Sequence, residues 1–487
     1  MLKHIINISD FDEDSRLCCK CISDHYLNKK IYSEGQIENC SFCDNFRPTF
    51  SLGEIVELVR LAFVEHFERT SPEPSDWDYF RIKELDYDWE REGAEIKYVI
   101  AEVAGIDEDI AEIVVKLLEE RHSDWDNDAT GIEADFARES HYLPKQQIIN
   151  NPLQEKWSLF EEQLQTESRF INSAFQQTLD SVFKDIHEFK TREGKSVIEN
   201  IGPKTSTETL FRARVFQNFE KLTEGLSYPA REVGPPPIGK ASAGRMNATG
   251  ISVFYGAFAQ STAIAEVRPP VGSDVVVAAF EIVRPLRVLN LSALRQIIIR
   301  NSYFDPNCRP LKERVAFLDL LSNKMTRPIM PEREHTDYLV TQVIADYLAV
   351  EHKLDGILYP SVQVASGLAS ADRTNIVLFH QASRVENTDP PPTASIRVNN
   401  FQQDEDGDDS EFVVFEDIPK QPVKDDSYLS DFPDYDFGTE DSVIHRRFHD
   451  RRQSALKLKM DTIAVHHVKA VQFTTKELPV SRASKGT

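Results

Sequence analysis

Leu210-Phe-Arg-Ala-Arg-Val-Phe216 is followed by Gly234-Pro-Pro-Pro237, Gly244-Arg-Met-Asn-Ala-Thr-Gly250, Ile251-Ser-Val-Phe-Tyr255 and Ser261-Thr-Ala-Ile-Ala-Glu-Val267. On a strand, the two-residue period puts Arg212 and Arg214 on one face and Phe211, Ala213 and Val215 on the other. Arg245 stands in a glycine-bounded loop, where backbone approaches a ligand closely. Tyr255 ends a short apolar run, and Glu266 lies about one turn past Ser261, a residue type that caps helix N-termini. Arginines, a tyrosine and a carboxylate within about fifty residues point to an anionic, sugar-bearing ligand.

Outward from this stretch, the 487 residues have room for two or three domains. No run of eighteen apolar residues occurs, and Met1-Leu-Lys-His-Ile-Ile-Asn7 turns polar at once, so the expectation is a cytoplasmic protein without a membrane span. A formal charge of −24 argues against a nucleic-acid-coating surface, leaving only local basic segments or a metal module for such contacts. Five of the six cysteines lie between 18 and 43, with Cys308 alone. Cys18-x2-Cys21 and Cys40-x2-Cys43 have the spacing of two knuckles closing one tetrahedral site for a structural zinc ion, with Cys19 spare. Four ligands leave no open position for catalysis.

Residues 1–48 are therefore expected to form a zinc module, and 49–195 a helical domain. Ile55, Leu58, Val59, Ala62 and Phe63 recur at helical spacing, as do Ile110, Ile113, Val114, Leu117 and Leu118, then Leu153, Trp157, Phe160 and Leu164, and finally Phe170 to Ile186. Asp76–Tyr79 and Asp124–Asn127 read as loops. Arg60 and His66 are separated by about 120° around an ideal helix, which favours a surface arginine and a partly buried histidine over a catalytic pair. A linker over 196–209 leads into an α+β domain over 210–395, with strands at 251–255, 275–282, 287–291, 356–359 and 376–379 and helices at 312–324 and 334–352. No Gly-x-Gly-x-x-Gly or phosphate-loop signature occurs. Residues 396–442 read as an acidic linker. Residues 443–487 hold the basic run His445–Arg452, and Ile463–Phe473 is expected to form a hairpin returning to the sheet.

Five stretches in order carry a resemblance: Leu210–Phe216, the Gly244–Gly250 loop, Phe254-Tyr255, Thr262–Val267 and Asp355-Gly-Ile-Leu-Tyr-Pro-Ser361. Together, over roughly 205–385, they resemble the RES family of bacterial NAD-consuming toxins. The cysteine pairs and helical region are similar to the zinc-bearing, HEPN-like segment fused to some RES domains. The resemblance implies an α+β fold like that of ADP-ribosyltransferase toxins, NAD+ as substrate with inorganic phosphate as a candidate co-substrate, and an antitoxin partner. It assigns the family arginine to Arg212, with Arg214 as the alternative, and the catalytic Tyr, Glu and Ser to Tyr255, Glu266 and Ser361. Arg245 and Asn247 occupy its Gly-Arg-x-Asn loop. The 95-position separation of Glu266 and Ser361 exceeds the spacing of compact members, and an insertion near 295–333 would account for it.

The chemistry suits these types. Cleaving a nicotinamide–ribose bond builds positive charge on the sugar, which a carboxylate such as Glu266 stabilises. Arg212 and Arg245, with Arg214 in reserve, fit a diphosphate through planar bidentate donors. Three readings follow: NAD+ cleavage by phosphorolysis or hydrolysis, ADP-ribosyl transfer to protein, or a binding module for RNA or a protein with an inert C-terminal domain. The sequence does not fix the oligomeric state, and a homo-oligomer stays open.

Overall fold

The structure is a computed structural model that describes residues 8–85, 88–122, 133–145, 152–167, 173–327, 329, 332, 334–364, 371–391, 393–402, 410–418, 450–472 and 475–480. The chain divides into two compact units, Met1–Glu155 with Ile299–Phe317, and Lys156–Ile298 with Leu318–Thr487.

The first unit begins with a three-stranded antiparallel sheet in which Phe46–Ser51 lies between Arg16–Cys18 and Gln36–Asn39. The helix Leu52–His66 follows directly. Ser51 caps it, the Ser51 hydroxyl accepting from the Glu54 N–H while Glu54 accepts from the Ser51 N–H. Such a reciprocal cap is worth about 1 kcal/mol. The buried face of this helix, Ile55, Val56, Val59, Ala62 and Phe63, packs with Ile110, Val114 and Leu118 of helix Glu108–His122. Leu17, Cys19, Ile22, Leu27 and Ile31 join the same core, as does Phe304 from the inserted segment. The cysteine-bearing residues and the helices therefore share one hydrophobic core.

This unit is not purely helical. Phe67–Arg69 and Ala94–Glu95 flank His141–Pro144 in a second three-stranded sheet. Strands of two to four residues are too short to print an alternating pattern on the sequence. Asp76–Leu85, read as a loop around Trp77, is a helix with no buried residue, so it lacks the apolar stripe that marks a helix in sequence. The Asp124–Asn127 stretch lies outside the described residues. Arg60 pairs with Glu57 while His66 is buried against Tyr303 and Lys312 faces the same tyrosine, so Arg60 and His66 serve different surroundings.

The second unit is built on a mixed nine-stranded sheet. Its strands are β1 Ile198–Ile201, β2 Thr209–Phe216, β3 Phe254–Ala257, β4 Asp274–Ile282, β5 Leu286–Asn290, β6 Gly356–Pro360, β7 Thr374–Leu378, β8 Leu456–Leu458 and β9 Ala464–His467. The order is β8-β4-β2-β3-β7-β6-β5-β1, and β9 also pairs with β4. Only β5 and β6 run parallel; the other pairs are antiparallel. Leu210, Phe216, Phe254, Val276, Phe280, Ile376 and Leu378 fill the larger core on one face. Ala213, Ala257, Val275 and Val277 pack with Ala263 of helix Gln260–Glu266 on the other. Helices Pro152–Thr166 and Ser173–Phe183 lie largely within this unit.

Two features of the tail differ from the reading of the sequence. Within the stretch read as an acidic linker, Ser395–Gln402 and Ser410–Asp417 pair as a separate antiparallel ribbon. The returning segment forms β8 and β9, both laid along β4, in place of a hairpin over Ile463–Phe473; Phe473 lies outside the described residues. Arg452, the end of the basic run, is partly buried and donates to Asp450, Ser383 and the His380 carbonyl. His445–His449 and the acidic residues 404–409 and 419–442 lie outside the described residues. No helix among the described residues is long and apolar enough to cross a membrane.

Candidate active site

β2 and β3 share a single register pair, Phe211 with Ala257, and diverge beyond it. A cavity of about 450 Å³ opens there, bordered by Arg212 and Ala213 of β2, Tyr255 and Gly256 of β3, Tyr359 and Pro360 of β6, and Asn375 of β7. The helix Gln260–Glu266 and the Arg245-Met246 loop add to its wall, as do Thr326, Tyr338 and Val362. The charged residues on that wall are Arg212, Arg245, Arg268 and Glu266, a local excess of positive charge in a chain of net −24.

Glu266 ends its helix half-buried. Its Oε1 accepts from the Ser361 hydroxyl at 2.5 Å and from the Asn375 amide at 2.7 Å. Its Oε2 has no partner among the described residues, so one carboxylate oxygen is fixed and the other is available to a ligand. Ser361 is itself held, its N–H donating to the Arg373 carbonyl and its hydroxyl accepting from the Gln363 N–H. Asn375 is 1% exposed and its Oδ1 is unpartnered. The sequence reading passed over Asn375. The signal available was a lone amide in the apolar run Asn375-Ile-Val-Leu-Phe379.

Tyr255 and Asn247 form a second constellation. The Tyr255 hydroxyl accepts from the Met246 N–H at 3.0 Å and donates to Asn247 Oδ1 at 3.0 Å. Asn247 is buried, and its amide donates to the carbonyls of Ser242, Ala248 and Ile251. Gln342 clamps the loop by donating to the carbonyls of Gly244 and Asn247. A Cβ on Gly244 would lie 2.6 Å from Asn247 Oδ1 and 2.8 Å from the Tyr255 oxygen, so only glycine fits. Burial pushes the Tyr255 phenol up to about 12, which keeps its proton in place. Tyr359, also on the wall, is shifted upward by burial.

The arginines divide. Arg212 bridges the diverging strands: Nε donates to the Val233 carbonyl at 2.8 Å and Nη1 to the Tyr255 carbonyl at 2.6 Å, with the guanidinium 5.4 Å from the Phe254 ring centre. Burial, then the nearby Arg214 charge, lowers it to about 10. Arg214 does not border the cavity; it is exposed and paired with Glu232. Arg245 borders the cavity and donates through Nη1 to the Met325 carbonyl. Arg268, which the sequence reading did not select, borders it as well.

In the first unit, Cys18, Cys21, Cys40 and Cys43 converge, every pair of sulfurs within 4.8 Å. The Cys18–Cys21 and Cys18–Cys43 Sγ distances are 3.6 Å and Cys21–Cys40 is 3.9 Å. Zinc–sulfur bonds of about 2.3 Å in a tetrahedron place sulfurs about 3.8 Å apart, so the cluster is shaped to hold such an ion. Two turns bring the pairs together, tied by the Ser41 N–H donating to the Arg16 carbonyl and the Arg16 N–H donating to the Ser41 hydroxyl. Cys19 turns instead into the hydrophobic core.

No curated protein matches the chain. Among solved structures, a chain of the M. tuberculosis MbcT–MbcA toxin–antitoxin complex is similar, at 14% identity over 36% of this chain and 74% of that one, with a TM-score of 0.20. Residues 209–399 match the RES domain.

Proposed function

We propose that the RES domain cleaves the nicotinamide–ribose bond of NAD+ and that the protein acts as a toxin restrained by an antitoxin. The observation that carries the chemistry is Glu266. One of its oxygens is held by Ser361 and Asn375, and the other is free on a cavity wall rich in arginine. As the glycosidic bond breaks, the ribose acquires oxocarbenium character, and a fixed carboxylate beside it stabilises that charge without reorganising. Nicotinamide leaves with the bonding electron pair, and phosphate or water adds to the sugar carbon. Tyr255, protonated and anchored to the loop, shapes the nicotinamide end. The toxin role and the antitoxin rest on the RES resemblance. We assign the four-cysteine cluster to a structural zinc ion, since four thiolates around one centre leave no vacant ligand position.

Proton NMR of NAD+ incubated with the protein, with and without inorganic phosphate, tests this reading beside Glu266→Gln. Nicotinamide release that depends on Glu266 supports it, and the phosphate requirement separates phosphorolysis from hydrolysis. No release from the wild-type protein, or equal release from Glu266→Gln, rejects it. Labelled ADP-ribose appearing on protein would move the reading to ADP-ribosyl transfer.

A further inference from the structure

We infer that Arg268 is the diphosphate clamp of the cavity, an assignment that rests on the NAD+ reading of the same site. Three arginines border the cavity, and two are already engaged. Arg212 uses Nε and Nη1 on the carbonyls of Val233 and Tyr255, and Arg245 uses Nη1 on that of Met325. The Arg268 side chain, exposed at the rim, makes no hydrogen bond or ion pair with any described residue. Its full fork of donors faces no competitor, and a planar guanidinium matches two phosphate oxygens at once.

Its backbone is constrained on both sides. Arg268 has φ +44°, in the left-handed region that residues with a Cβ avoid. Its N–H donates to the Ala265 carbonyl, closing the end of the Gln260–Glu266 helix. Pro269 and Pro270 follow at once, and their rings fix φ on the other side. Arginine holds this conformation at a cost that glycine would not incur. Only Val267 separates it from Glu266. In NAD+ the diphosphate adjoins the ribose whose bond is broken, so a carboxylate at the sugar and a cation at the diphosphate belong side by side.

Calorimetric titration of the full chain with ADP-ribose and with adenosine, and kinetics with NAD+ and with nicotinamide riboside, test the assignment. Arg268→Gly removes the guanidinium while relieving the backbone, so misfolding does not confound it, and Arg268→Lys retains charge without the fork. The expected result is ADP-ribose affinity weakened about ten- to hundredfold in Arg268→Gly and KM for NAD+ raised to match. Cleavage of the riboside, which lacks the diphosphate, stays unchanged, and Arg268→Lys falls between. Unaltered ADP-ribose binding in Arg268→Gly, equal losses on both substrates, or a wild-type protein that does not bind ADP-ribose would each overturn it. Wild-type protein that binds ADP-ribose through Arg268 yet leaves NAD+ intact sustains the clamp and rejects the cleavage reading.

Discussion

Ser361 donates its hydroxyl to Glu266 Oε1 at 2.5 Å across 95 residues of sequence, and Asn375 donates to the same oxygen at 2.7 Å. Two donors on one oxygen make Ser361 and Asn375 positioning residues for the carboxylate. Ser361→Ala and Asn375→Ala are each expected to lower kcat by about ten- to a hundredfold with a smaller change in KM. Because both serve one oxygen, the double variant should lose less than the product of the single losses. Steady-state kinetics of the three variants checks this; strictly multiplicative losses would mean that the two act independently.

Metal removal gives a second measurement. The protein should carry about one zinc per chain by elemental analysis, since four thiolates fill one tetrahedral site. Cys40→Ser should lose that ion and lower the melting temperature of the first unit, because the cysteine turns share its hydrophobic core. Cys19→Ser places a hydroxyl in the core but should keep the metal. Loss of zinc from Cys19→Ser with retention in Cys40→Ser would reverse the ligand assignment.

His66 gives the first unit a pH dependence. Burial, reinforced by the positive charges of Lys312, Arg309 and Lys145, lowers its pKa from 6.5 to about 4. Well above pH 6.5 the ring is neutral in folded and unfolded states alike. As the pH falls towards 4, the unfolded chain takes up a proton that the fold excludes, and stability drops by about 3 kcal/mol across that window. His66→Phe, which keeps a ring against Tyr303, should flatten the fall in melting temperature between pH 7 and pH 5. An unchanged slope would place the titration elsewhere.

Much of the site was legible because local sequence sets local geometry. The alternation at 210–216 placed Arg212 and Arg214 on one face of β2, and the glycine-bounded loop marked Arg245, while Asn247 came with the family resemblance. Sequence could not separate Arg212 from Arg214, since that depends on the divergence of β2 from β3, a relationship between distant segments. Asn375 was missed for a similar reason. It meets Glu266 only because β7 pairs with β3 through Asn375 and Ala257. Arg268 was hidden because a backbone angle, not a residue pattern, distinguishes it. In the first unit, the x2 spacing favoured Cys18 and left Cys19 spare, and the turn at Cys19–Cys21 sends the Cys18 sulfur to the cluster and the Cys19 sulfur to the core.

The segment Ile299–Phe317 interrupts the RES domain yet belongs to the first unit, where Phe304 is buried and Ser302 donates to Asp24 at 2.9 Å. During synthesis, the amino-terminal unit therefore cannot complete its core when residue 155 has left the ribosome. It waits until β1 to β5 of the second unit have also emerged. A gene fragment that starts at the RES domain inherits the opposite problem: it still encodes Phe304 and its neighbours but has lost the core that shelters them. The two units are thus bound to a shared assembly order, and neither is a cassette that can be cut free at one boundary.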